Sequence, residues 1–164
     1  MKMQKIIFLL MFVMICDYAF SQNRISLSNK NPLYMEMAHN HGTGGPKTEL
    51  KDDNQWLNYT TLVQLSDPNL CITAQIVSGT MPEGMTLQLE AMPYQGLSKG
   101  KQGSPAGKIT LSYTPQVLIS NIGTAYTGNG KNEGYQLIYT YITRDFSRVS
   151  SGSSAVYVQY TITH

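Results

Sequence analysis

The residue types capable of chemistry are few in this chain, and they are scattered. His39 and His41 alternate along one side of an extended run, with Met35 and Met37 in the same register. Imidazole and thioether donors together suit a copper ion, and two histidines at i, i+2 can reach one metal. The set lacks a second, distant ligand, since the remaining histidine is His164. Loop histidines beside two core methionines are the simpler expectation. Asp52-Asp53-Asn54 sets three oxygen-bearing side chains in a row. Calcium wants about six to eight oxygens in a wrapped loop, and this spacing matches no such loop. A polar turn ahead of Trp56 is expected instead, and no metal or cofactor.

Hydrolytic catalysis finds still less. A Ser-His-Asp arrangement needs one histidine bonded to both partners, yet His39 and His41 sit in a glycine-rich stretch and no G-x-S-x-G run exists. Glycoside hydrolysis needs two placed carboxylates, and the acidic residues fall in no recognisable context. The chain therefore reads as a non-enzyme. Lys99, Lys101 and Lys108 gather in a glycine-rich loop, which is read as solvated. Binding of a phosphate backbone needs a clustered basic face, so nucleic acid is not an expected partner.

Aromatics are the strongest feature that remains. Of the 11 tyrosines, ten lie beyond residue 21, together with the single tryptophan, Trp56. Most tyrosines suit half-buried strands. Trp56, Tyr94, Tyr126 and Tyr157 fall in loops or on polar strand faces, and these are the aromatics expected to stack on a glycan or on a protein partner. Asn58-Tyr59-Thr60 matches a glycosylation sequon inside a strand-like run, a pattern that chance often produces.

The elements that must position these residues are short strands broken by Gly, Pro, Asn and Ser. From Ala155 to Thr163, Val156, Val158, Tyr160 and Ile162 share one face, and Tyr157, Gln159, Thr161 and Thr163 the other. Period-two alternation of β-branched and aromatic residues marks a half-buried strand. Met85, Leu87, Leu89 and Ala91 alternate with polar residues in the same way, as do Leu70, Ile72, Ala74 and Ile76, a register that turns Cys71 away from the apolar side. Tyr135 to Ile142 is apolar on both faces and is expected to be a central strand. Further strands are expected at Leu57 to Leu65, Ile109 to Tyr113, Val117 to Ile119 (after a bend or edge at Pro115), Ile25 to Leu27 and Leu33 to Met37. No window carries a helical stripe, and at most a turn is expected near Arg144 to Val149. About nine strands at short spacing point to an antiparallel β-sandwich, with a barrel as the alternative. The loops His39 to Lys47, Gly96 to Gly107 and Gly123 to Gly134 have turn compositions.

Residues 1–21 read as a signal peptide. Lys2 and Lys5 open it, Ile6 to Ile15 is an unbroken apolar run, and Ala19-Phe20-Ser21 is a small-x-small cleavage site. The run is too short to span a bilayer. One domain over 22–164 follows, exported to the cell surface, the extracellular medium or the periplasm. Ten of the 12 basic and nine of the 10 acidic residues belong to that domain, which is nearly neutral. Cys16 leaves with the signal, and the Val13-Met14-Ile15 before it lacks the small residues of a lipid-attachment site. Cys71 then stands alone, so intramolecular disulfides are excluded and stability rests on burial.

Gly128-Asn129-Gly130, Gly134-Tyr135-Gln136-Leu137-Ile138-Tyr139 and the closing Val156-Tyr157-Val158-Gln159-Tyr160-Thr161-Ile162 together resemble exported bacterial fimbrial-subunit-type β-sandwich proteins. The resemblance covers the last forty residues or so. It implies an immunoglobulin-like domain with a structural or adhesive role at the cell surface, and self-association when an extended segment of one subunit completes the sheet of the next. Asn23 to Ala38 is the segment expected to serve. The paired cysteines of many such subunits are missing here. A soluble binding module for carbohydrate or protein is the alternative.

Overall fold

The structure, a computed structural model, describes residues 23–29, 48–94, 96–97, 99–149 and 152–164. The expected signal peptide, His39, His41, Met35, Met37 and the strand expected at Leu33 to Met37 lie outside the described residues, as does most of the segment 23–38.

Eleven strands form two antiparallel sheets packed face to face. They are β1 (Arg24–Leu27), β2 (Glu49–Thr61), β3 (Leu70–Gly79), β4 (Met85–Ala91), β5 (Lys99–Gly100), β6 (Ser104–Pro105), β7 (Ile109–Thr110), β8 (Gln116–Ile122), β9 (Ala125–Tyr126), β10 (Tyr135–Thr143) and β11 (Val156–Thr163). One 3-10 turn, Phe146–Arg148, follows β10. Asp145 caps it, its carboxylate accepting from the Ser147 N–H at 3.0 Å. The larger sheet runs β5-β9-β2-β10-β4-β7 with β1 on β2, and the smaller runs β11-β3-β8-β6. The fold is thus the expected all-β sandwich. It has seven strands of four residues or more and four strands of two, rather than about nine of similar length.

Alternation decides which side chains enter the core. Leu57, Tyr59, Leu87, Leu89, Ala91, Tyr135 and Leu137 come from one sheet, and Leu70, Ile72, Ala74, Ile76, Leu118, Ile119 and Ile122 from the other; all are buried. Each large apolar side chain so placed contributes about 1.5–3 kcal/mol relative to exposure. Strand β10 is central, as expected, paired with β2 on one edge and β4 on the other. The Tyr139 hydroxyl bonds that of Tyr160, joining the two sheets. Strand β8 begins directly after Pro115 and is internal to its sheet, between β3 and β6. Register shifts along the β3 pairing let both Leu118 and Ile119 turn inward.

Three expectations change. Asp52-Asp53-Asn54 is not a turn ahead of Trp56; it lies within the 13-residue β2, at a bulge where the register shifts between Leu137↔Gln55 and Tyr139↔Asp52. The extra residue reverses the alternation, so Leu50 and Asp52 share the inward side that Gln55, Leu57 and Tyr59 take further on. Second, the Leu57 to Leu65 run stops at Thr61, and Leu65 is fully exposed. Third, Arg24–Leu27, the start of the segment expected to leave for a neighbour, pairs with β2 of its own chain from Arg24↔Thr60 to Leu27↔Leu57.

Candidate functional site

The face that carries charge and aromatics together is the outer side of the larger sheet. It is built around one irregularity. Strand β9 and strand β10 lie on the same edge of β2, because Thr60 pairs with both Arg24 and Tyr126 and Leu57 pairs with both Leu27 and Tyr135. They are one strand interrupted by residues 128–134, which leave the sheet and return opposite Asn58. The segment Gly128-Asn129-Gly130-Lys131-Asn132-Glu133-Gly134 has positive φ at Gly128, Gly130, Asn132 and Gly134. Left-handed backbone at every second residue explains why three of the four are glycine and the fourth asparagine.

Asn58 holds this loop down. Its Nδ2 donates to the Glu133 carbonyl at 2.9 Å, and its Oδ1 accepts from the Gly130 N–H at 3.2 Å. Glu133 turns its carboxylate back onto the Asn129 N–H. Asn58 is 1% exposed, so the sequon asparagine is a structural post inside the fold. The loop so fixed places the Lys131 ammonium 5.6 Å from the centroid of the Trp56 ring. Ser28 braces Trp56 from the other side: its hydroxyl accepts from the Trp56 N–H, and its own N–H donates to the Trp56 carbonyl, each at 2.9 Å.

Beside this pair a row crosses four strands. The registers Arg24↔Thr60, Thr60↔Tyr126 and Lys99↔Tyr126 align the four residues. Directly paired residues share a face. That face is the outer one, because Ile25 and Leu27 pack into the core and Ala125 opposite Thr61 is buried. Tyr126 is 44% exposed. Among the described residues the ion pairs are Lys51 with Glu49 at 3.6 Å and Arg148 with Glu83 at 3.1 Å. Arg24, Lys99 and Lys131 are in neither.

Trp56 and Tyr126 therefore share a face, as neighbours of three cations. Tyr94 is elsewhere. Its half-buried ring packs 5.5 Å from that of Tyr135, and its hydroxyl donates to the Thr127 carbonyl at 3.3 Å. Tyr59 and Tyr135 stack with centroids 6.0 Å apart, and both donate to the Gln102 carbonyl, pinning the loop between β5 and β6. Tyr157, 63% exposed, stands on the smaller sheet. The four expected aromatics thus divide into two on one face, one half-buried against the core and one on the smaller sheet. Arg24 and Lys131 were not singled out by the sequence, and Lys99 was grouped with Lys101 and Lys108 instead. Cross-strand register brings Arg24 and Lys99 into line with Tyr126, and the Asn58-anchored loop brings Lys131 to Trp56.

The buried hydroxyls act as neutral donors. Burial is the main cause that raises Tyr59 and Tyr160 far above the usual tyrosine range, and it pushes Tyr139 up to about 12. None of these hydroxyls ionises near neutral pH, so none serves there as a base. Among the described residues no group of three or more His, Cys, Asp and Glu could hold a metal, and no helix is long and apolar enough to cross a membrane.

The smaller sheet is different in kind. None of β3, β6, β8 and β11 contains an Asp, Glu, Lys or Arg. Its outer face pairs Cys71 with Thr163, Thr73 with Thr161 and Gln75 with Gln159. Cys71 is half-buried, its Sγ 3.2 Å from the Thr163 hydroxyl. No protein-family model matches this chain, and neither a curated protein nor a solved structure is significantly similar to it.

Proposed function

We propose that this chain is an exported, non-enzymatic cell-surface protein with a structural or adhesive role, of the fimbrial-subunit type, which associates with copies of itself. The observation that carries the reading is strand β11. It forms one edge of the smaller sheet, and among the described residues β3 is its only strand partner. Its eight residues, VYVQYTIT, contain no charge and no proline. Edge strands of monomeric proteins are commonly protected by charges, proline or short length. This one is long, β-branched and aromatic, the composition that accepts another strand.

Sedimentation of the purified protein and of Thr161→Lys tests it. Thr161 is exposed and faces outward, so lysine there leaves the fold within about 0.5 kcal/mol. It also gives the edge the lysine by which edge strands of monomeric proteins commonly discourage pairing. Wild type is expected to sediment as oligomers and the variant as a monomer. A wild type that stays monomeric over the whole concentration range would overturn the reading.

A further inference from the structure

We infer that the outer face of the larger sheet binds an acidic polysaccharide, along the row Arg24–Thr60–Tyr126–Lys99 and the neighbouring Trp56–Lys131 pair. The inference rests on the export reading above and supplies the adhesive target which that reading leaves open.

Charge complementarity commits the face to an anion. Lys51 is neutralised by Glu49, whereas Arg24, Lys99 and Lys131 are in no ion pair among the described residues. Glu133, two residues from Lys131, turns its carboxylate onto the Asn129 N–H, and the other acids of this outer face, Glu49, Asp53 and Glu90, stand on β2 and β4 away from the row of Arg24 and Lys99. At the row itself, two cations without an ion-pair partner among the described residues, Arg24 and Lys99, raise the local potential for anions. Their spacing commits it to a chain rather than to one small ion. Arg24 and Lys99 are separated by three strand spacings, about 14 Å, too far to share one carboxylate or sulfate. Between them lie a hydroxyl, on Thr60, and an aromatic ring, on Tyr126.

The aromatics commit it to a sugar. A pyranose ring offers an apolar face to stack on an exposed ring and hydroxyls to bond at its rim, and Tyr and Trp supply an apolar body with a polar handle. Arg24 can grip a carboxylate or sulfate through two parallel N–H bonds, while Lys99 and Lys131 act as point charges. The Asn58-anchored loop fixes Lys131 over Trp56 before any ligand arrives, so little ordering remains to oppose binding. The smaller sheet, with exposed Tyr157 but no charge on any strand, provides the internal contrast.

The test is affinity electrophoresis of the purified protein through gels containing polygalacturonate, chondroitin sulfate or neutral dextran, with competition by a single-stranded DNA oligomer. Retardation is expected in one or both acidic gels and not in dextran, weakening as salt rises from 50 to 500 mM, as a screened surface contact must. Retardation in polygalacturonate marks a carboxylated target, and retardation in chondroitin sulfate alone marks a sulfated one. Lys99→Gln with Lys131→Gln, and separately Tyr126→Ala, are expected to weaken binding tenfold or more while the thermal midpoint stays within about 3 °C of wild type. The inference is overturned by no retardation in either acidic gel, by variants that bind as wild type does, or by DNA that competes better than either glycan. Binding is read on the isolated protein, so its failure leaves export untouched. Fractionation of whole cells reads export separately.

Discussion

Replacing Asn58 with alanine isolates the contact on which the outer face of the larger sheet depends. The side chain is 1% exposed and spends both ends of its amide on the loop 128–134, on the Glu133 carbonyl at 2.9 Å and the Gly130 N–H at 3.2 Å. A net hydrogen bond is worth about 1 kcal/mol. Glu133 is exposed and Gly130 half-buried, so water reaches the released groups and the full penalty of a buried orphan does not apply. The two bonds plus the lost packing of the amide come to about 2–3 kcal/mol. For a domain of this size each kcal/mol moves the thermal midpoint by about 3–5 °C, which gives a fall of about 6–15 °C. The assay is a circular-dichroism melt, paired with emission from Trp56, the single tryptophan. The melt reads the global cost, and the emission reads departure of the Lys131 ammonium from the indole ring. A midpoint within about 2 °C of wild type and unchanged emission would refute the claim that Asn58 holds the loop.

Further tests follow from the same geometry. Gly134→Ala puts a Cβ onto the Leu57 carbonyl oxygen and 2.7 Å from Asn58 Nδ2 at φ +76°, whereas Gly130→Ala at φ +109° meets nothing within 4 Å. Left-handed strain alone costs about 1–3 kcal/mol, so urea denaturation should find Gly134→Ala clearly the more destabilised; equal costs would contradict the packing described. Stability should also fall at alkaline pH. Folded Tyr139 is pushed up to about 12, and burial raises Tyr59 and Tyr160 in the same direction, against about 10 in the unfolded chain. Above pH 10 the unfolded state releases protons that the folded state keeps. The contribution of these groups is therefore complete below pH 10 and is lost as pH rises through 12, with Tyr139 alone accounting for about 2 kcal/mol by pH 12. Denaturation midpoints that stay level from pH 9 to 12 would rule this out.

Much of the fold was legible because apolar alternation survives wherever a strand has one buried face. Met85 to Ala91, Leu70 to Ile76 and Val156 to Thr163 keep period two without interruption, and the structure buries the apolar member at each step, or half-buries it at Met85 and along β11. Tyr135 to Ile142 declared its central place by being apolar on both sides. The first half of β2 was hidden for two physical reasons. Glu49 to Asn54 is charged because that stretch lies toward the margin of the sheet, and its bulge reverses the parity, so that no single alternation runs from Leu50 to Thr61. Strands β5, β6 and β9 have two residues each, too few to show any period. The candidate site was half legible. Trp56 and Tyr126 were identifiable as residue types, but cross-strand register aligns Arg24 and Lys99 with Tyr126, and a loop held by a buried asparagine carries Lys131 to Trp56. Tyr94 misled because a Pro-Tyr in a glycine-rich stretch looks like a loop tip, whereas its ring turns inward onto Tyr135.

The most direct test of an open β11 edge is to extract the protein from the cells that make it and run it unboiled and boiled on one denaturing gel, beside Thr161→Lys. Subunits joined by strand addition should give a ladder in the unboiled wild-type lane that collapses to one band on boiling, and a single band in both lanes for the variant. A single monomer-sized band in both wild-type lanes would contradict self-association and leave the protein a self-contained binding domain.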